Sequence, residues 1–150
     1  MALQHEDIWK LLGVQRAKFR KIRDLHPDER KRNYDAREVF GFKILLTFVN
    51  GNVPGMIPMQ RIFLDAFFDD LKNKSHREIK NSIALWHTTE EYIEIIDRED
   101  HFDQDDYRLK SISLKHLYKD YIHELANIGL PIKTANEEHG FEVVEGGKKA

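Results

Sequence analysis

Two short helical patterns separated by a glycine open the chain, and they constrain its fold more than any other feature. His5–Leu12 places Ile8, Leu11 and Leu12 at positions i, i+3 and i+4, which form the apolar stripe of one helical face. Gly13 follows directly, and glycine is the residue that most often ends a helix. The pattern predicts a first helix over His5–Leu12 and a tight turn after it.

A second helix with two distinct faces is predicted at about residues 16–25. Its apolar edge is spaced by three residues and consists of Phe19, Ile22 and Leu25. At about 100° per residue, Arg16, Arg20 and Arg23 fall within about 40° of a common direction beside that edge. Gln15, which precedes this helix, is a weak N-cap. One short helix therefore offers both a core face and an arginine face.

A charged loop and a hydrophobic third helix come next. Residues 26–33 are polar and include Pro27, so they are predicted to form a loop or irregular wing that is too charged to join the core. Asp35 is a suitable N-cap for a helix over residues 36–49, most of which are apolar. A helix, a turn, a basic helix, a wing and a buried helix in this order describe a winged helix-turn-helix.

The same residues resemble the DNA-binding domain of the MerR family, to which the heads of phage excisionases and DNA-packaging small subunits are related. The matching pieces are Ile8-Trp9-Lys10-Leu11-Leu12-Gly13-Val14, Phe19-Arg20, Arg32-Asn33-Tyr34, Glu38-Val39 and Gly51-Asn52-Val53. The resemblance covers residues 3–57, the first third of the chain. It implies a winged helix-turn-helix head that docks on double-stranded DNA.

The resemblance and the charges together give a set of candidate DNA contacts. Arginine and lysine neutralise phosphates, and a helix in the major groove presents side chains to base edges. The candidates are Arg16, Lys18, Arg20, Lys21 and Arg23 on the second helix, Arg30, Lys31 and Arg32 in the wing, and the hydroxyl of Tyr34 on a phosphate. The alternative is that the second helix carries only a solvated charged face and that Tyr34 belongs to the core.

The uneven distribution of charge supports a basic head. The net charge is −2, but residues 1–45 carry 11 Lys/Arg against 7 Asp/Glu, whereas residues 46–150 carry 13 against 19. The two parts therefore have net charges of +4 and −6. The chain has no cysteine, which excludes disulfides and thiolate metal sites and favours an intracellular setting.

The second half predicts a small acidic module. Helices are expected at about residues 59–71, from a Ser75 cap to about Trp86, and over residues 114–128. Residues 92–96 and 107–114 suit strands but also fit helices, and residues 97–106 form an acidic loop. We therefore expect a mainly α protein with a winged head at 1–57, a helical or α+β module at 58–133 and a disordered tail at 134–150.

Other candidate sites in this module have simpler interpretations. The acidic loop lacks the glycine and the final glutamate of a calcium-binding EF-hand. His116 and His123 share a helical face without the glutamate of a zinc motif. Five aromatic residues of this module either line a ligand pocket or fill its core, and core packing is the more common role for aromatic residues at such spacings. They are Trp86, Tyr92, Tyr107, Tyr118 and Tyr121. No catalytic motif is present, so we expect neither an enzyme nor a cofactor.

The sequence thus predicts sequence-directed binding of double-stranded DNA by a homodimeric transcriptional regulator. The alternatives are a phage or mobile-element architectural or packaging protein, and a protein-interaction adaptor that does not bind DNA. The second module would supply the dimer contact, a protein partner site or a small-molecule effector site. No apolar stretch reaches the roughly 18 residues of a membrane span, so we expect a cytoplasmic protein.

Overall fold

A computed structural model of the chain describes residues 3–26, 28, 33–49 and 61–130, which form a mixed α and β fold. The elements of the described residues are α1 (His5–Leu12), α2 (Arg16–Ile22) with a 3-10 turn at Arg23–Leu25, α3 (Ala36–Phe48), α4 (Arg61–Lys72), α5 (His76–Lys80), β1 (Ser82–His87), β2 (Tyr92–Asp97), β3 (Leu109–Ser113) and α6 (Leu114–Asn127). Four of the predicted helices are confirmed as α1, α3, α4 and α6, and the second predicted helix is confirmed as α2, which ends in the 3-10 turn.

Helix α3 is the centre of the fold. It begins with a capping box, in which Asp35 Oδ1 accepts a hydrogen bond from the Glu38 backbone N–H at 2.8 Å and Glu38 Oε1 accepts one from the Asp35 N–H at 3.1 Å. Ten of its thirteen residues are buried, so it has no solvent-facing stripe. At Gly41 an added Cβ would lie 2.5 Å from the Phe68 ring, so glycine is needed for α4 to pack this closely.

A three-stranded antiparallel sheet covers one side of the helices. Its order is β2-β1-β3, so the central strand β1 forms hydrogen bonds with neighbours on both edges. Ala84 is paired with Ile95 on one side and with Ile112 on the other, and Trp86 is paired with Ile93. These residues point to one face, which packs in the common core. The two segments that fit either a strand or a helix in the sequence, residues 92–96 and 107–114, therefore contain the strands β2 and β3.

The prediction that the helix capped by Ser75 continues to about Trp86 is wrong. The capping box of Ser75 and Glu78 starts α5 as expected, but the helix ends at Lys80 and residues 82–87 form β1. A capping box specifies where a helix begins and carries no information on where it ends. Strand pairing on both edges of β1 then outweighs the local helical pattern, because it satisfies the backbone groups of the segment.

One hydrophobic core extends across the boundary predicted between head and module. The Tyr121 hydroxyl of α6 donates a hydrogen bond to the Ala36 carbonyl of α3 at 2.5 Å. The Lys43 ammonium of α3 donates to the Leu11 carbonyl of α1 at 2.9 Å and lies 3.3 Å from a Glu124 carboxylate oxygen of α6. The boundary at residues 57 and 58 and the tail at 134–150 lie outside the described residues. Within the described ranges, no helix has the length and apolar character needed to cross a membrane.

Candidate nucleic-acid interface

The turn between α1 and α2 is a compact helix-ending motif. Gly13 has a φ of 68°, in the left-handed region that glycine adopts without strain. Its N–H donates to the Lys10 carbonyl at 3.2 Å, and the Val14 N–H donates to the Trp9 carbonyl at 3.0 Å. These two bonds are those of a Schellman motif. The predicted Gly turn is confirmed, and it sets the direction in which α2 leaves α1.

Helix α2 is anchored through one narrow apolar edge. Phe19 is 2% exposed and Ile22 is fully buried. The Phe19 ring packs edge-on against Tyr34 and Phe42, with centroids 6.0 and 6.5 Å away. The side chain of Gln15 makes no cap hydrogen bond, as its weak N-cap character predicts. The tertiary contacts of two residues therefore fix which face of the helix is turned to solvent.

The outward face of α2 is basic and uncompensated. Arg16, Arg20 and Lys21 are exposed, whereas Lys18 and Arg23 are half-buried. None of these five side chains forms an ion pair or a side-chain hydrogen bond within the part of the chain that the structure describes. Elsewhere, cations do have carboxylate partners, as in the pairs Lys43–Glu124, Lys74–Asp70 and Arg108–Asp106. Helix α2 thus concentrates positive charge that has no carboxylate partner among the described residues.

Two open grooves lie beside Arg16 and differ in chemistry. One, bounded by Trp9, Gly13 and Val14, is mainly apolar, with Glu6 and Lys10 also in its lining. The other lies between the N-terminal part of α1 and Asn33, and Glu6 and Asp7 line it. Because Asp7 lines only the second groove and Lys10 only the first, the electrostatics favour an anion in the first groove over the second.

The end of α2 is fastened to the start of α3 by His26. Its Nε2 contacts Glu38 Oε2, and its Nδ1 accepts a hydrogen bond from the Asp28 backbone N–H at 3.1 Å. Because Nδ1 accepts a hydrogen bond, the ring hydrogen is on Nε2, which donates a hydrogen bond to the Glu38 carboxylate. The ring also packs against Phe68, with centroids 5.0 Å apart. The same glutamate caps α3, so one carboxylate couples the basic helix to the central helix.

The structure corrects two predictions at this junction. His26 was expected in a loop too charged for the core, but it is 7% exposed, because an imidazole bonded at both nitrogens can be buried. Tyr34 was expected to donate to a phosphate, but it is 2% exposed and its ring lies 5.3 Å from that of Phe42. Tyr34 is thus a core residue, which leaves its hydroxyl poorly placed to contact a phosphate. Arg30, Lys31 and Arg32 lie outside the described residues.

The second half shows which of its aromatic residues belong to the core. Trp86, Tyr118 and Tyr121 are buried, Tyr92 is half-buried and Tyr107 is 90% exposed. Burial among apolar groups raises the pKa of the Tyr121 hydroxyl well above its ordinary value. Core packing thus accounts for the three buried rings.

The histidines of α6 and the acidic loop form no evident metal site. His116 and His123 are both exposed on α6. Over the described ranges, no group of three or more histidine and carboxylate side chains is arranged to hold a metal ion.

Exposed apolar side chains do occur, at Ile62 and Phe63 near the start of α4.

Sequence reasoning missed three residues that define this region. The buried His26 resembles a loop residue in sequence, and its proximity to Glu38, twelve positions later, has no local signal. Lys43 is missed for the same reason, since its partners lie on α1 and α6. Ala17 could have been found, because it lies opposite the Phe19–Ile22 edge on a helical wheel, and it is exposed among the cations of α2.

No family model, no curated protein and no solved structure matches the chain. The resemblance to the MerR head stays a prediction based on the residues named above.

Proposed function

We propose that the protein binds double-stranded DNA in a sequence-directed manner through helix α2, as a transcriptional regulator. The observation that carries the proposal is the set of five cationic side chains on and after α2 that lack a carboxylate partner within the described ranges of the chain. The set comprises Arg16, Lys18, Arg20, Lys21 and Arg23. When cationic side chains such as these neutralise DNA phosphates, the counterions condensed on the DNA backbone are released, which favours binding.

The way α2 is held supports the proposal. A helix that enters the major groove needs a fixed orientation and a face free of protein contacts. Phe19 and Ile22 provide the first, and the opposite face, with Ala17, Arg20 and Lys21, is exposed. The second helix of a helix-turn-helix is the element that contacts base edges in this class of proteins.

Binding of duplex DNA at several salt concentrations tests the proposal. The full chain is titrated into a labelled pool of random duplexes, and fluorescence anisotropy is followed from about 50 to 300 mM salt. If four or five cations contact phosphates, the logarithm of the binding constant should fall with a slope of roughly −4 against the logarithm of salt concentration. Absence of binding at the lowest salt would contradict the proposal and would favour the adaptor alternative.

We further propose that the protein acts as a homodimer. One small helix-turn-helix buries too little surface for tight specific binding, so such heads commonly work in pairs on two half-sites. Sedimentation of the full chain with and without a selected duplex tests this directly. A single chain per duplex at saturation would contradict the homodimer while leaving DNA binding intact.

A further inference from the structure

A small apolar residue occupies the centre of the basic face of α2. At about 100° per residue, the direction opposite the Phe19–Ile22 edge lies within about 10° of Ala17. Arg20 and Lys21 lie about 50° to either side of that direction. The observed exposure agrees with this geometry, because Ala17, Arg20 and Lys21 are all exposed.

Arg16 lies about 90° from the outward direction and is exposed, whereas the two cations farthest from that direction are more covered. Lys18 and Arg23 lie about 110° from the outward direction and are half-buried. The element that faces solvent most directly is therefore a methyl group between two long cationic side chains. A short side chain at this point lets the helix backbone approach a surface closely while the flanking cations reach past it.

We infer that Ala17 determines specificity by contacting the C5 methyl group of a thymine in the major groove. This inference depends on the proposed DNA binding. In the major groove, thymine alone among the four bases presents a methyl group, and alanine is one of the side chains that contact it. The position fits, since the N-terminal residues of the second helix contact base edges in helix-turn-helix proteins. Arg20 and Lys21 then contact phosphates or a neighbouring guanine.

The contact between Ala17 and thymine predicts a preference for thymine over a base that lacks the methyl group, which electrostatic attraction to phosphates alone does not give. Phosphate contacts position a protein on DNA without reporting sequence. A methyl–methyl contact removes apolar surface from water, with an effect close to that of one buried methylene group. Loss of the thymine methyl should therefore weaken binding about fourfold, which corresponds to about 0.8 kcal/mol.

The test replaces thymine by deoxyuridine, which lacks only this methyl group. A duplex is first selected from a random pool with the full chain, and each thymine of the selected site is then replaced in turn. Anisotropy titrations compare the parent chain, Ala17→Gly and Ala66→Gly. Ala66 is an exposed alanine of α4, so Ala66→Gly carries the same helix-propensity penalty away from the interface.

We expect the effect of removing the thymine C5 methyl group to depend on the presence of the Ala17 methyl group. The parent and Ala66→Gly should lose about fourfold in affinity at one thymine of each half-site, whereas Ala17→Gly should bind both duplexes equally. Equal affinity of the parent for the thymine and deoxyuridine duplexes at every position would overturn the inference, as would an undiminished effect in Ala17→Gly. Absence of salt-dependent binding to the pool would instead overturn the proposed function.

Discussion

The Phe19 side chain determines how the basic helix is presented. Its ring contacts come from three parts of the chain, namely His5 in α1 at 5.9 Å, Tyr34 before α3 at 6.0 Å and Phe42 within α3 at 6.5 Å. We expect Phe19→Ala to lower the free energy of unfolding by about 3–5 kcal/mol, as is typical of a buried aromatic residue. Denaturant titration followed by circular dichroism measures the loss. A loss below about 1 kcal/mol would mean that Phe19 does not anchor α2.

Because the hydroxyl of Tyr121 is buried, we expect the free energy of unfolding to fall as the pH rises into the alkaline range. Burial, with smaller effects from Asp35 and Tyr118, raises its pKa above the ordinary value of about 10. Stability should therefore be fully present below about pH 10 and decline as the unfolded state loses its proton above that value. Tyr121→Phe should lower stability by about 1 kcal/mol at pH 8, because it removes the bond to Ala36.

The pH profile of Tyr121→Phe identifies the group responsible. Stability is measured by urea titration between pH 8 and pH 11 for the parent and the variant. Above pH 10 the variant should decline less steeply, so that the difference between the two chains narrows. Parallel profiles for the two chains would show that Tyr121 ionisation does not contribute.

For single residues, the helical period predicted that the cations of α2 face solvent, but it did not predict the burial of His26 and Tyr34. Arg16 and Arg20 are exposed because the Phe19–Ile22 edge determines the opposite face. His26 and Tyr34 lie near charged residues in sequence, and their burial depends on partners in α3 and α4 that sequence spacing cannot place together. Core aromatic and histidine residues outside a periodic stripe are the hardest to predict for this reason.

Among the elements, α3 depends on the capping box at its start. Asp35→Ala should lower the free energy of unfolding by about 1 kcal/mol, because the Glu38 N–H loses its acceptor at a helix end. Asp35→Asn should keep most of the stability, since an asparagine side-chain oxygen can accept the same bond. Thermal unfolding of both variants distinguishes capping from charge. Equal losses in the two variants would show that the aspartate acts through its charge.

Most helices of this chain could be predicted because they have local start signals and stripes, whereas the central strand of the sheet could not. Asp35 and Ser75 mark the starts of α3 and α5, and Gly13 and Gly129 mark the ends of α1 and α6. The central strand, residues 82–87, is mostly buried, so it lacks the alternating pattern of a half-exposed strand. Its identity depends on pairing with residues five to thirty positions away, which no local pattern reports.

For the whole molecule, the continuous core implies that the head does not fold alone. Phe40 of α3 packs against Tyr118 and Tyr121 of α6, with centroids 5.0 and 5.2 Å away. A fragment of residues 1–57 would leave this face of α3 exposed to water, and we expect it to show no cooperative thermal transition. Circular dichroism on the fragment and the full chain compares the two. A folded fragment with a sharp melting transition would contradict one shared core.

The most direct test of DNA binding through α2 compares two matched pairs of substitutions in the full chain. Arg16→Ala with Arg20→Ala removes two exposed cations one turn apart on α2, and Lys115→Ala with Lys119→Ala does the same on α6. Anisotropy with a selected duplex should show the α2 pair weakened by about 2–3 kcal/mol at moderate salt, with a shallower salt slope, and the α6 pair close to the parent. Undiminished binding by the α2 pair, or equal losses in both pairs, would contradict the account.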